Sequence, residues 1–531
     1  MLTRLARLSL SSIGLLALIA RPATAQEHQH DQGVGTVEFP TACNAEAQRA
    51  INTAVAMLHS FWFVEARNTF RAAADADPAC GTAYWGIAIT HFGNPFAGGP
   101  GPEGNRAGLT AAQRAVAIGG RAPRDQAYIA AALSLYADHD RVDNRTRMRA
   151  YEAALGDLHA KNPADSETAI LHALWMVANA SPLDSTFAQQ RKAADILNPL
   201  FERQPDHPGL AHYIIHAFDS PPLAHLALGA ARRYAEIAPA APHALHMPSH
   251  TFTRLGHWDE SIQTNRRSMD LEPPGSKGHA ADYMVYAFLQ QGRDDAARAV
   301  MGEIGLDPST EDPTGVVGRL AGYNSVAMQA RFALERNDWA LASTLSVPIG
   351  QPPSVEAVTR FARALGAARA GNAATSRAEL EAMHGLVTRM TDARDPYWPI
   401  VVDAQRLAAE AWVLHLEGRH ADALRVAAEA AAKEDLVEKH PVTPGPLIPA
   451  RELLGDILLV HGRPADALAA YEQTLRKEPN RFRALHGAAK AARAAGRDDA
   501  AARYYRELLD LGARESARAE LVEARAFLGA R

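Results

Sequence analysis

From residue 43 almost to the C-terminus, apolar positions recur at the three- and four-residue spacing of helices with one buried face. Alanine is the commonest of them. Short Gly, Pro or Asn-Pro breaks separate the segments, and proline closes them at Pro78, Pro163, Pro205, Pro239, Pro273 and Pro479. No run alternates with the period of two that a half-buried strand requires. The pattern predicts an all-α chain built from short helices.

The breaks are periodic. In residues 451–480, Leu454, Gly455, Leu458, Ala467, Tyr471 and Pro479 form one unit, and Tyr505 repeats Tyr471 after 34 residues. Ala54, Met57, Ala66, Phe70 and Pro78 fit the same template, as do Gly292 with Ala297 and Gly418 with Ala423 and Ala427. These residues resemble the tetratricopeptide repeat (TPR). Small residues let the two helices of a hairpin approach, an aromatic ring fills the gap to the next hairpin, and proline ends the second helix. The resemblance implies a TPR helical-hairpin solenoid, a superhelix with a concave groove, of about a dozen units. Its expected parts are an array over 43–435 that includes the His-rich units 205–273, an inter-repeat loop at 436–449, further repeats over 450–513 and a capping helix at 514–531.

The N-terminus reads differently. Arg4 and Arg7 precede an apolar run over residues 8–20, and Ala23-Thr24-Ala25 fits a signal-peptidase site. Residues 1–25 are expected to be a signal peptide cleaved after Ala25, giving a periplasmic or secreted protein. Residues 26–42 are expected to be flexible. Cleavage there would place His28 third from a free amine, an arrangement that chelates Cu(II) or Ni(II), with His30 close by. No later run reaches the roughly 18–20 apolar residues of a membrane span. In an oxidising compartment Cys43 and Cys80, each just before the first helix of adjacent units, are either bridged or two buried thiols.

Composition narrows the partners. The 531 residues are 47% hydrophobic and 22% charged with a formal net charge of −5, which points away from nucleic acid and from anionic membranes. No phosphate-binding loop, dinucleotide fingerprint, nucleophile elbow or HExxH helix is present, so the reading leans away from an enzyme.

Candidate chemistry concentrates in units 205–239 and 239–273. Each carries a His-x3-His pair, His212/His216 and His246/His250, and the pairs are 34 residues apart. An i, i+4 spacing puts each pair on one helix face, and the repeat register sends both pairs to the same side. His243 shares that face. The next unit offers His279, Asp282 and Tyr286, Asp219 follows His216, and Arg331 holds an equivalent position further on. Four or five imidazoles with carboxylates and a phenol suit Zn(II), Cu(II) or Fe(II) better than Ca(II) or Mg(II). The same residues would also suit a polar groove for a peptide. His59, His91 and His172 are expected to be structural, while Glu438 and His440 are further ligands only if the 436–449 loop folds inward.

The runs HPGLAHYIIHAFDSPPLA, HALHMPSHTFTRLG and PVTPGPLIPARELLGD resemble a widespread group of exported bacterial TPR proteins. The resemblance implies membership of a defined group and no reaction. The leading expectation is a scaffold that takes a peptide or protein partner in its groove. The alternative is a transition-metal protein centred on the four histidines.

Overall fold

The computed structural model describes residues 33–273, 275–306, 322–348, 350–514 and 516–529. The signal segment, His28 and His30 lie outside the described residues. Among the described residues the chain is helical without strands: twelve successive hairpins, from Ala45–His59 with Phe63–Ala76 to Phe482–Ala494 with Asp498–Leu511, and a closing helix Ala519–Gly529.

Local chemistry explains the hairpins. Asn44, Asp143, Asp165, Asp338 and Asn372 each accept a hydrogen bond from a backbone N–H of the helix they begin, satisfying a donor that has no partner within the helix. Gly418, Gly462 and Gly496 close the turn inside their hairpins in the left-handed region, at φ 75°, 67° and 70°. Packing between hairpins follows the small-to-aromatic pattern. The Tyr471 ring is wedged between Gly455 and Gly487, where an added Cβ would come within 2.8 and 2.3 Å of it. Phe70 fills the same kind of gap against Gly86.

Three features differ from the sequence expectation. First, residues 33–42 are packed. Val34, Val37 and Phe39 are buried, Phe39 stacks on Trp85, and Thr36 N–H bonds the Asp206 carbonyl at 3.0 Å. An apolar V-x-x-V-x-F run within a polar stretch is what anchors it.

Second, the array folds back on itself. Trp258 donates to the Asn480 carbonyl (2.9 Å), Phe482 N–H to Gln290 (3.0 Å) and Ala513 N–H to the Gln291 carbonyl (3.0 Å). At this seam the buried Arg481 bonds Glu335 (2.8 Å), Glu452 (2.6 Å) and the Tyr286 hydroxyl (3.0 Å).

Third, the concave surface beside the histidines is not open. Residues 435–449, which lie between helices His420–Glu434 and Ala450–Val460, fold into it. Arg331 donates to the Gly445 and Pro446 carbonyls (2.7 and 2.6 Å), and the Tyr283 hydroxyl donates to the Thr443 carbonyl (3.1 Å).

Cys43 and Cys80 are joined by a disulfide, with Cα atoms 5.3 Å apart. It ties together the starts of helices Ala45–His59 and Gly81–Phe92.

Candidate metal centre

Helix Pro208–Ala217 carries His212 and His216. The next hairpin begins with two short helices, Pro242–His246 and Pro248–Leu255. Pro248 has no N–H to continue the ladder, so the helix breaks between His246 and His250. Helix Gly278–Gln290 supplies His279 and Tyr283 one turn apart. The four predicted histidines are interior rather than groove-lining: His212, His216, His246 and His250 are 0, 8, 1 and 2% exposed. His243 and His279 are half-buried.

Six imidazoles converge, in two sets. His212, His216 and His243 offer donor atoms within 4.8 Å of one another, and so do His246, His250 and His279. The sets adjoin, with ring centroids of His216 and His250 5.8 Å apart and those of His243 and His246 5.9 Å apart.

Hydrogen bonds fix the tautomers. His212 Nδ1 lies 2.6 Å from the His59 carbonyl, which can only accept. His246 Nδ1 lies 2.6 Å from Asn265 Oδ1, whose amide is oriented by its own donation to the Ser261 carbonyl. His250 Nδ1 lies 3.0 Å from Asp219 Oδ2. All three rings therefore carry their proton on Nδ1 and turn an Nε2 lone pair inward, the orientation that outer hydrogen bonds impose on metal-binding imidazoles. His246 Nε2 and His250 Nε2 then face each other at 3.0 Å, and His212 Nε2 meets His243 Nε2 at 3.2 Å. The Tyr283 oxygen, its proton given to Thr443, adds a further lone pair 3.2 Å from His250 Nε2. His216 Nε2 and His279 Nδ1 are buried without a hydrogen-bond partner.

Charge does not resolve the crowding. Burial, reinforced by the neighbouring imidazoles, holds His212, His216, His243, His246 and His279 well below the usual imidazole range. His250 is also lowered by burial, against the opposing pull of Asp219. Burial pushes Asp219 upward, but Lys439, Arg254 and the bond from His250 outweigh it and hold the carboxyl well below its ordinary value. Arg254 Nε lies 2.9 Å from Asp219 Oδ1 and Lys439 Nζ 2.8 Å from Oδ2. The centre is thus a knot of neutral imidazole lone pairs beside an ionised carboxylate.

Not every predicted residue belongs to it. Asp282 pairs with Arg331 at 3.3 Å, and Tyr286 bonds Arg481, so both form part of a separate polar network under the 435–449 segment. Arg331 holds backbone carbonyls there and leaves no groove position open. The reason is register. The second repeat interval from His246 is 33 residues, which brings His279 and Tyr283, rather than Asp282 and Tyr286, onto the face of His246 and His250. Tyr283 was legible from its i, i+4 relation to His279. Asn265 and Lys439 carry no local signal. Glu438 lies beside Arg254 (3.5 Å) and His440 stacks on Trp398, both away from the imidazoles.

Two further trios were not anticipated. Glu167 bonds His59 Nε2 (2.9 Å) and His207 Nε2 (2.8 Å), all three buried. Both of its oxygens and both Nε2 atoms are used, and the trio holds the His59 carbonyl in front of His212, while His207 Nδ1 is buried without a hydrogen-bond partner. His415, His420 and His461 cluster nearer the surface, with His415 Nδ1 3.2 Å from His461 Nε2.

A cavity of about 650 Å³ adjoins the centre, walled by His216, Asp219, Phe96, Trp398 and Lys439 among others. Phe96 stacks on His216 with centroids 4.0 Å apart.

No protein-family description matches the sequence, and no curated protein does. Among solved structures the chain is similar to the APC/C hetero-tetramer Cut9–Hcn1, at 13% identity over 91% of this chain and 89% of that one, TM-score 0.34. It is also similar to the human IFIT1 dimer with m7Gppp-AAAA, at 10% identity over 81% and 90%, TM-score 0.40. The human IFIT1 dimer with PPP-AAAA matches at 9% identity over 88% and 91%, TM-score 0.38.

Proposed function

We propose that this is an exported metalloprotein whose helical-repeat array encloses a transition-metal centre built from His212, His216, His243, His246, His250 and His279. One observation carries the reading: His246 Nε2 and His250 Nε2 stand 3.0 Å apart while the Nδ1 of each is committed as a donor. Two buried lone pairs facing each other repel, and a cation between them removes the repulsion. Two nitrogens bound at 2.0–2.1 Å to one tetrahedral ion stand about 3.3 Å apart, close to this spacing. All-imidazole coordination suits Zn(II), Cu(II) or Fe(II). Three histidines per ion leave a coordination position open, the composition of sites that activate water or bind a small ligand rather than of closed structural sites.

Export rests on the N-terminal signal pattern and is supported by the Cys43–Cys80 disulfide. The scaffold reading, with a peptide or protein in the groove, loses its surface beside the histidines because residues 435–449 occupy it.

The test is the metal content of untagged protein recovered from the exported fraction. Stoichiometric transition metal that is lost in a His212→Ala/His246→Ala variant is the expected result. Substoichiometric metal, unchanged in the variant, would overturn the reading and favour the scaffold.

A further inference from the structure

Resting on that reading, we propose that the centre is binuclear, with one ion held by His212, His216 and His243 and a second by His246, His250 and His279, and that the first ion takes a small anionic ligand from the adjoining cavity. Two observations independent of each other lead there.

The first is the partition of the donors. Each trio brings its three donor atoms within 4.8 Å of one another, the range that one ion with bonds of about 2.0–2.1 Å can draw together. Each trio contains its own close nitrogen pair, 3.2 Å for His212 with His243 and 3.0 Å for His246 with His250. A single ion at the first pair would leave His246 and His250 as two facing lone pairs, and one at the second would leave His212 and His243 to share a single imidazole proton. The contacts between the trios are ring-to-ring, at 5.8 and 5.9 Å between centroids. The arrangement repeats with the helical hairpin: His212 and His216 on one helix, His246 and His250 on the two short helices that open the next hairpin, His279 on the helix that opens the third. Adjacent ions are therefore a consequence of the repeat.

The second is the cavity. His216 is 8% exposed, its Nε2 has no hydrogen-bond partner, and it stands in the wall of the 650 Å³ space. None of the other five histidines lines that space. The space is thus next to the first ion alone. Asp219 in the same wall is paired with Arg254 and Lys439, so the carboxylate three residues from His216 carries its own counter-charges.

Metal is counted by titrating metal-free, full-length mature protein with Cu(II). The counting background is His28→Ala/His420→Ala/His461→Ala, which removes the histidine third from the expected N-terminus and two of the three in the surface trio. Saturation at two equivalents is expected, falling to one in His212→Gln/His243→Gln and to one in His246→Gln/His279→Gln. Azide, as the anion probe, should give a charge-transfer band with the copper left in the second variant and none with that left in the first. Saturation at one equivalent that either double variant abolishes would mean a single mixed site and would overturn binuclearity while leaving the metal reading intact. No binding at all would overturn both. Azide binding equally to both variants would overturn the assignment of the cavity to the first ion. Should a variant fail to fold, judged by its circular dichroism, the equivalents bound by the unsubstituted centre still separate two ions from one.

Discussion

Lys439 Nζ lies 2.8 Å from Asp219 Oδ2 across 220 residues of chain, and both side chains are buried. The pair joins the 435–449 segment to the carboxylate that orients His250. Burial pulls the Lys439 ammonium down to about 8 against the attraction of Asp219. Lys439→Met leaves Asp219 with Arg254 and should cost roughly 2–3 kcal/mol, below the usual range for breaking a buried pair because one partner remains. Urea denaturation measures the loss. Limited thermolysin digestion should show new cleavage within 435–449, and unchanged protection would mean that Arg331 and Tyr283 suffice to pin the segment.

Arg481 is the centre of the seam between the middle and the C-terminal repeats. Its guanidinium bonds Glu335, Glu452 and Tyr286 with no exposure to solvent. Arg481→Met leaves Glu335 without its cationic partner in the interior. The expected cost is about 3–5 kcal/mol. Hydrogen exchange should rise on both sides of the seam, at residues 286–292 and 480–486. A rise confined to 480–486 would show that the two faces are held independently.

Asp282 gives stability a pH dependence. Burial raises its carboxyl from 3.8 to about 6, against the pull of Arg331, and Tyr283 and Tyr323 are the other titratable groups facing it. Between those pH values the folded protein keeps a proton that the unfolded chain has released. Stability from this group is therefore present below pH 4 and lost as pH rises to 6, by on the order of 3 kcal/mol. Asp282→Asn removes the dependence. Its stability relative to the parent, from guanidinium unfolding, should be greater at pH 7 than at pH 4.5. Parallel profiles would mean that Arg331 keeps Asp282 ionised throughout.

Glycine has opposite value at two helical positions. At Gly487 a Cβ would sit 2.3 Å from the Tyr471 ring, whereas at Gly385, inside helix Ala373–Asp392, nothing lies within 4 Å. Gly487→Ala should destabilise by roughly 1–3 kcal/mol through overpacking. Gly385→Ala should stabilise by about 0.5–1 kcal/mol through helix propensity. Thermal unfolding of the two variants compares them directly. Equal shifts would contradict the small-to-aromatic packing of the repeats.

Much was legible in the chain alone. The 3.6-residue periodicity and the proline breaks, which depend on residues within one or two turns of each other, and the Tyr471–Tyr505 spacing, which spans a single repeat, determined the all-α hairpin array. The interval from His212 to His246 likewise placed two imidazole pairs on one side of the array. The third pair was misplaced by three residues: His279 and Tyr283 follow His246 and His250 by 33 residues, close to the 34-residue period, whereas Asp282 and Tyr286 follow by 36. Only the tertiary structure decided that the histidines are interior, that Asn265 and the His59 carbonyl set their tautomers, and that Lys439 reaches Asp219. Those contacts join segments up to 220 residues apart. They depend on the curvature accumulated over many hairpins, which brings Asn480 back to Trp258 and folds 435–449 inward. Small rotations per repeat add up to that closure, and no local pattern of apolar and polar residues encodes their sum.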